Sequence, residues 1–476
     1  MLGPSELRFL NQLQNIDAPE IWNDKGLSKL WLYNLHYFDD LMADDAETRR
    51  DWHEALINRW INENPAPLGN GWEPYPTSLR IVNWVKWVLA GNELPAGGQD
   101  NLATQADWLS RNLEYHLLGN HLFANAKALV FAGTLFDGPE AARWRLTGLQ
   151  ILDKQLPEQT LPTGGQFELS PMYHTIFVED LLDIIQLSDL DRTFPRQQVA
   201  SWRNAAERSL SWMNGLAHPD GRIAFFNDGA FGIAAEPAAL GNYAARLGLS
   251  AAADRTSDLD GYVRMDSGLA VLICDAAPIG PDYLPGHAHA DTLSFEMSLA
   301  GQRLIVNGGT SVYGCDPAQR LKERGTAAHN TVTLDNQNSS EIWSSFRVGR
   351  RARVTERNLQ IEGDEYTLSA AHDGFTRLGG PVHRRKWKLS PGKLEIRDEI
   401  QHGWQNAKAR FRIAPPFHAD PQTIHGPVPI DLHTEGSSVK IENGTWAPEF
   451  GKTVPCQIVC VEFAGPNVTT TLSWQP

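Results

Sequence analysis

Apolar residues recur at helical spacing through the first half of the chain. The stretch DWHEALINRWINEN sets Trp52, Leu56 and Trp60 on one helical face. TSLRIVNWVKWVLAG does the same with Leu79, Val82, Val85 and Leu89 and ends at a glycine suited to a helix C-terminus. FVEDLLDIIQLSDL and RNAAERSLSWMNGLA repeat the period. No fixed-length repeat is visible. Helices of similar length without intervening strands predict helical hairpins packed side by side, an incomplete (α/α) toroid over residues 1–250. SAAADRTSDLDGYV is small and polar and reads as a linker. Beyond it the period becomes two. VLICDA, TLSFEMSLAG, QRLIVNGG, HNTVTLDN, KWKLSPGKLEIRDEI, ARFRIAP and VCVEFAG are short, β-branched and separated by turn residues. They predict an antiparallel β-sandwich over residues 251–476. The fold class is thus multidomain, α then β.

Composition adds bounds to this picture. The chain has 476 residues, 42% hydrophobic and 21% charged, enough for two or three ordinary cores. A formal net charge of −15 argues against nucleic acid as a general partner. An acidic polymer would need locally basic strips. No run of about 18 apolar residues predicts a membrane span. The opening MLGPSELRFLNQLQ lacks the basic and apolar regions of a signal peptide. A cytoplasmic location is therefore expected, or a periplasmic one if a leader has been trimmed away. The four cysteines, Cys274, Cys315, Cys456 and Cys460, form no CxxC pair and read as reduced structural thiols. Eleven of the sixteen tryptophans precede Gly261; most are expected in the core, although aromatic rings around a helical groove also suit sugar stacking.

Four segments carry polar residues that packing alone does not require. In LEYHLLGNHLFANAKALVFAG, Asn120 fits a helix N-cap and His121 the first turn. This is either a plain cap beside a solvated histidine or an anion site at a helix start. In FELSPMYHTIFVEDLL, Ser170 and Pro171 signal a helix start with Tyr173 in its first turn, either packing its ring or using its phenol. In LPGHAHADTLSFEMSLAGQRLIVNGG, His287 and His289 would share a strand face, as two surface histidines or as a metal or catalytic pair. In RGTAAHNTVTLDNQNSSEIWSSFRVGRRARV, His329 precedes a basic strip, Arg347, Arg350, Arg351 and Arg353, with Arg320, Lys322 and Arg324 upstream. Such charge is often merely solvated, but in so acidic a chain it is where an anionic polymer could be held.

With these blocks in this order, the sequence resembles the heparinase II/III family of polysaccharide lyases, and it is most similar to members associated with bacterial surface-polysaccharide gene clusters. LWLYNLHYFDDL, GWEPYPTSLRIVNW, GNHLFANAKAL, FELSPMYH, GHAHADTLSFEMSLAGQRLIVNGGTSVYG and the GTAAHNTVTL block carry the likeness. The resemblance implies a toroid followed by a β-sandwich and β-elimination at uronic acids, with an acidic polysaccharide or oligosaccharide as partner. It implies that Asn120, with His121 beside it, neutralises the uronate carboxylate. Tyr173 would be the proton-transferring phenol and His287 the second acid–base group. Trp72, Tyr75, Arg80, Arg324 and Arg347 are candidate substrate contacts. His289, Asn307 and His329 match metal or structural positions.

The sequence departs from the family pattern at three places. Before Tyr173 it reads Thr163, Gly164, Gly165, then Glu168-Leu169-Ser170-Pro171, where the family often has an acidic residue, two glycines, then Glu-Arg-Ser-Pro. Ala124 stands where several lyases have an acidic residue three positions after the histidine of the NH motif. Asn307 stands where some members have an acidic metal ligand. Two histidines and an asparagine would hold zinc weakly, so the expectation is no required cofactor and at most a loosely bound zinc ion. The chemistry is consistent with these residues. The C5 proton of a uronate is barely acidic until a donor such as the Asn120 amide offsets the carboxylate charge. A base must then reach C5–H and an acid the C4 oxygen. A lyase breaks the C4–O bond. A C5 epimerase would return the proton to the opposite face. A hydrolase would need two positioned carboxylates, for which Glu73, Glu114, Glu168 and Asp228 are candidates. A non-catalytic glycan-binding protein is the remaining alternative.

Overall fold

The computed structural model describes residues 1–251, 257–401, 403–435 and 437–475. Residues 252–256 of the stretch read as a linker lie outside the described residues. The chain divides into two compact units, one of residues 1–159 and 180–204, the other of residues 160–179 and 205–476.

The first unit is helical, as the 3.6-residue period predicts, apart from one hairpin at its start. Glu6–Phe9 pairs antiparallel with Gln12–Asn15. The two turn residues, Leu10 and Asn11, have φ of 52° and 59°, the signature of a tight hairpin turn with both central residues left-handed. Leu-Asn lacks the glycine that usually marks such a turn, so sequence alone gave no hint of it. Helices Lys29–Tyr37, Arg50–Glu63, Pro74–Leu89, Gly98–Arg111, Gly119–Leu135 and Pro139–Gln159 follow. Gly119–Leu135 packs against both Pro74–Leu89 and Pro139–Gln159. It is apolar nearly all round and almost wholly buried, as a central helix must be. Gly148 permits this approach, since a Cβ there would lie 2.6 Å from the Ala126 carbonyl oxygen. The charge that this helix buries, Lys127, is met by Asp180 (2.7 Å) and by Asp183, the pairing that a buried ammonium requires.

Among its described residues the second unit holds two large antiparallel sheets and a two-stranded one, Ile342–Trp343 with Arg347–Val348. One large sheet runs in the order Val354–Glu362, Glu365–His372, His383–Ser390, Lys393–Ile400, Asn467–Ser473, Ile430–Glu435, Thr423–His425, His418–Ala419. The other runs Ser437–Glu449, Lys452–Phe463, Ala407–Ile413, Gln302–Ile305, Phe295–Leu299, Ala270–Asp275, Tyr262–Ser267, Asp258–Leu259. Trp387, Ile396 and Leu472 from the first sheet and Phe295, Met297, Phe411 and Val461 from the second form one buried cluster. This is the sandwich that the two-residue period predicts. KWKLSPGKLEIRDEI is a hairpin whose inward positions are Leu394, Ile396, Asp398 and Ile400. Asp398 is tolerated in the core because Arg385 (2.7 and 2.9 Å) and His383 (2.7 Å) pair with it. In Phe295–Leu299 even the alternate residues are buried. His218 covers that face, reaching Glu296 (3.0 Å) and Ser298 (2.7 Å).

All four cysteines are free; Cys315 is exposed, so it is not the buried structural thiol expected, whereas the other three are buried. Among the described residues no helix is long and apolar enough to cross a membrane.

Candidate active site

The second unit builds its polar centre from the helix start that the Ser-Pro signal predicts. Helix Pro171–Leu190 begins at Pro171, and Ser170 Oγ accepts the Tyr173 backbone N–H (3.2 Å) while donating to the Asp228 carbonyl (2.5 Å). Leu169, just before the cap, is left-handed with φ 58°. Its carbonyl is held by Asn227 Nδ2 (2.9 Å) and by the Tyr262 hydroxyl (2.7 Å). The turn is therefore fixed from two sides, and Tyr173 with it. The Tyr173 ring stacks on His287, centroids 3.7 Å apart at 27°. Its hydroxyl lies 2.9 Å from that of Tyr313.

Asp228 organises the histidines. It is fully buried. Its Oδ2 is 2.9 Å from His287 Nδ1 and its Oδ1 is 2.9 Å from His289 Nε2. Arg320 grips the same carboxylate with both Nη atoms, the Nη2–Oδ2 bond being 2.7 Å. Burial alone would raise the Asp228 pKa, but Arg320 and the two histidines hold it well below the usual carboxylate range. An ionised Asp228 only accepts hydrogen bonds, so His287 carries its proton on Nδ1 and His289 on Nε2. His287 Nε2 is turned away from Asp228. Its nearest carboxylate oxygen, Glu168 Oε2, is 3.7 Å away, beyond hydrogen-bond range. His289 Nδ1 accepts from His329 Nε2 at 3.2 Å. Burial first, and then Arg320 and Arg324 against the pull of Asp228, lowers His289 to about 4.

Arg320 and Arg324 project from helix Pro317–Arg324, capped by Asp316, whose carboxylate accepts the Gln319 N–H (3.0 Å). Arg320 also lies over the Tyr313 ring, 4.9 Å from its centroid. Burial, then Asp228, pushes the Tyr313 phenol well above its ordinary value, against the pull of Arg320.

The metal positions expected from the sequence are not assembled as a ligand set. Asn307 Oδ1 accepts from Asn330 N (3.1 Å) and Nδ2 (3.2 Å), and its Nδ2 faces Ser294 Oγ (3.4 Å). Its amide is thus committed to bracing Asn330. Both oxygens of Asp228 are taken by Arg320 and two imidazoles. Among the described residues no group of three histidine, cysteine, aspartate or glutamate side chains is placed to hold a metal ion. Two neutral imidazoles hydrogen-bonded to each other do not fit a three-ligand zinc site.

The first unit holds the other candidates. The structure corrects Asn120 as an N-cap. The cap position is Leu118, with φ 59°, and helix Gly119–Leu135 begins at Gly119. Asn120 lies inside the first turn and hydrogen-bonds Tyr75. Tyr75 packs on His121, ring centroids 4.4 Å apart. His121 Nδ1 is 3.1 Å from Glu114 Oε1, and Glu114 is braced by Asn125 through its N–H (2.8 Å) and carboxylate (3.0 Å). The carboxylate beside His121 therefore comes from position 114, while Ala124 is buried at 3% exposure.

Three expected substrate contacts are core residues instead. Trp72 is 1% exposed and donates to the Asn64 carbonyl (3.1 Å). Arg80 is 0% exposed, stacks over Trp60 (3.8 Å) and reaches Gln105 (2.9 Å). Arg324 is 0% exposed and spends its guanidinium on the carbonyls of Ala288, Ser344 and Arg347. In each case the side chain satisfies buried backbone or fills a core, which leaves nothing for a ligand. Arg347 is exposed beside Trp343. Sequence reasoning missed the hub role of Asp228 and gave no role to Tyr313. The signal for Asp228 is a lone carboxylate within the apolar string IAFFNDGAFGIAA. Tyr313 has no comparable mark.

Family comparisons bear on the whole chain. The heparinase II/III N-terminus model matches residues 98–244, and the heparinase II/III-like C-terminal model matches residues 257–475. The chain belongs to the heparinase II/III family. A heparin-sulfate lyase of Pedobacter heparinus is 28% identical over 62% of this chain and 49% of its own length. FtsZ-localized protein C of Caulobacter vibrioides is 28% identical over 84% of this chain and 68% of its own length. This heparinase II/III-family chain spans half or less of the lengths of the lyases it matches. Among solved structures, a heparinase III covers 94% of this chain and 76% of that one at TM-score 0.73 and 19% identity. A heparan sulfate lyase from Pedobacter heparinus covers 98% of this chain and 80% of that one at TM-score 0.62 and 20% identity. At these identities the likeness is one of fold.

Proposed function

We propose that this family member is a polysaccharide lyase that cleaves an acidic, uronate-containing polysaccharide by β-elimination. The observation that carries the reading is the Tyr173–His287 pair, a phenol stacked on an imidazole whose Nδ1 faces Asp228. That geometry supplies a base and an acid side by side. With Nδ1 held by Asp228, His287 Nε2 accepts the C5 proton of the uronate. The electron pair moves into the C4–C5 bond, the C4–O bond breaks, and the Tyr173 phenol gives its proton to the departing oxygen. Tyr313, at hydrogen-bond distance from the Tyr173 hydroxyl, orients that phenol.

The same geometry weighs against hydrolysis. Of the carboxylates considered for a hydrolase, Asp228 is buried, ionised and fully bonded, so it offers neither a proton nor an oxygen to a sugar. The relative that spans most of this chain is named for a location and not for a reaction, so the reading rests on the site and on the lyase relatives together.

The test is incubation with a panel of uronate polymers, monitored by ultraviolet absorbance and repeated in deuterated water. A lyase creates a conjugated double bond at new non-reducing ends. Deuterium at C5 in an unshortened polymer would assign an epimerase instead. Saturated ends with neither signal would assign a hydrolase.

A further inference from the structure

The second unit has a polar cavity of about 750 Å³ that none of Tyr173, His287, Tyr313 or Asp228 lines. Its walls are the Pro278–Asp282 loop, the strap from Gly349 into the strand at Val354, and Arg377. Five arginines face it, Arg350, Arg351, Arg353, Arg357 and Arg377, against three carboxylates, Asp260, Asp282 and Glu356. The carboxylates are all occupied. Asp282 bonds Arg351 (2.9 Å), Glu356 bonds Arg384 (2.8 Å), and Asp260 accepts the backbone N–H groups of Thr163 and Gly165 (3.0 Å each). Arg357 pairs outside the lining with Asp258 (2.8 Å).

Three guanidinium groups make no direct ion pair among the described residues. Arg350 donates to the carbonyls of Asn338, Ser339 and Gly374, which fix it in place without neutralising it. Burial lowers its affinity for its proton, helped by Arg377 and opposed by Glu341 and Asp373. Arg353 and Arg377 are exposed, and their side chains have no ion-pair or hydrogen-bond partner among the described residues. A chain of net charge −15 therefore keeps one concave surface with three arginines that make no direct ion pair, one of them held in place by backbone carbonyls.

We infer that this cavity binds a carboxylate- or sulfate-bearing segment of a glycan, outside the residues proposed to carry the reaction. Guanidinium forks match planar carboxylates and sulfates two bonds at a time. The volume lies within the usual range of small-ligand sites, about 300–1,000 Å³. Pro278, Ile279 and Ala352 give the apolar patches on which the C–H faces of a sugar ring rest. No aromatic side chain lines the cavity, so it lacks the stacking platform by which single-stranded nucleic acid is held. The assignment rests on the reading of this chain as acting on an acidic polysaccharide, and it gives that substrate a second foothold.

The experiment uses the full chain, its Arg353→Gln/Arg377→Gln double variant, and Arg397→Gln as a control in an exposed pair with Glu399 elsewhere on the sandwich. The probes are a labelled heparin-derived octasaccharide, a labelled oligogalacturonate octamer and a labelled oligothymidylate. The wild-type protein and the control should bind at least one of the two glycan probes equally well. The double variant, with an unchanged melting temperature, should bind it about tenfold more weakly, two charge-assisted contacts having been lost. Its dependence on salt should be shallower. Unchanged glycan binding in the double variant, no glycan binding by the wild-type protein, or tighter binding of the oligothymidylate than of either glycan would each overturn the assignment. If the glycan binds through these arginines but no polymer ever yields a double bond or C5 label, the reaction proposed above fails while the anion site stands.

Discussion

At the scale of single residues, the sharpest expectation concerns Tyr173. Replacing it with phenylalanine keeps the ring that stacks on His287 and the N–H that Ser170 caps, and removes only the hydroxyl facing Tyr313. Folding should lose no more than about 0.5–1.5 kcal/mol, the worth of one hydrogen bond. Turnover on the true substrate should fall roughly 10²–10⁴-fold, the usual share of an acid–base group. Thermal melts and initial rates on the same preparation separate the two quantities; a folded Tyr173→Phe protein with near-normal turnover would remove the phenol from the reaction. Tyr173 and His287 could be picked out in the sequence because FELSPMYH and GHAHAD resemble family blocks; taken alone, a tyrosine after Ser-Pro and a His-x-His pair also suit plain packing or surface roles. The arrangement of Asp228 could not, because a carboxylate that binds three side chains from 59 to 92 positions away leaves no local pattern. Trp72 and Arg80 were misread for a related reason. A buried arginine stacked on a tryptophan and a sugar-binding one have the same sequence neighbourhood, and only burial tells them apart.

At the scale of elements, periodicity was a good guide and caps were a mixed one. The Ser170–Pro171 start agrees with its signal. Asn120 does not cap its helix, because Leu118 takes the cap position with a positive φ and the helix begins two residues earlier than an Asn120 cap would place it. A leucine at positive φ is unfavourable and no local rule anticipates it. The segment leading to Tyr313 is held by another such feature. Gly309 has φ 74°, and a Cβ added there would lie 2.0 Å from the Ala447 carbonyl oxygen. Its neighbour Thr310 donates its N–H to the Gly229 carbonyl (3.0 Å) and turns its hydroxyl toward Asp228 (3.4 Å). Gly309→Ala should therefore cost on the order of 1–3 kcal/mol from strain and clash, and lower activity by shifting Tyr313. Gly301→Ala is the matched control, with φ 81° but nothing within 4 Å of the new methyl. It should show the smaller conformational cost of about 1 kcal/mol and keep its activity. Equal melting temperatures for the two variants would remove Gly309 as a packing constraint.

At the scale of the whole molecule, stability toward acid follows from histidines that can exist in only one protonation state. His36 accepts the Trp60 indole N–H at Nδ1 (3.0 Å) and donates from Nε2 to the Trp22 carbonyl (3.0 Å). His174 accepts the Gln166 N–H at Nδ1 (3.1 Å) and donates from Nε2 to the Ser209 carbonyl (2.8 Å). His372 accepts the Gly374 N–H at Nδ1 (3.0 Å) and donates toward His383 (3.2 Å). A second proton on any of these rings must displace a donor already bonded to it. Burial, the first cause in each case, lowers His36 to about 3 and His174 to about 4, and holds His372 well below its ordinary value. The folded pKa values are depressed, so the unfolded chain takes up protons first. The stability these histidines contribute is complete above about pH 6.5 and is lost as pH falls through the interval down to the folded values. The loss is about 1.4 kcal/mol per pH unit for each ring. Asp291 acts in the opposite sense. Burial raises it to about 6, so below that pH the folded state holds its proton more tightly and gains stability until the unfolded carboxyl also titrates, near 3.9. Burial raises Asp39, Asp180, Asp275 and Glu323 in the same way, but it also lowers four more imidazoles, His218, His289, His329 and His383, so seven rings stand against five carboxyls over this interval. Melting temperatures measured from pH 8 to pH 4 should therefore be level down to about 6.5 and fall with increasing steepness below it. A flat profile to pH 5 would mean that these rings accept protons in place, which their hydrogen bonds do not allow.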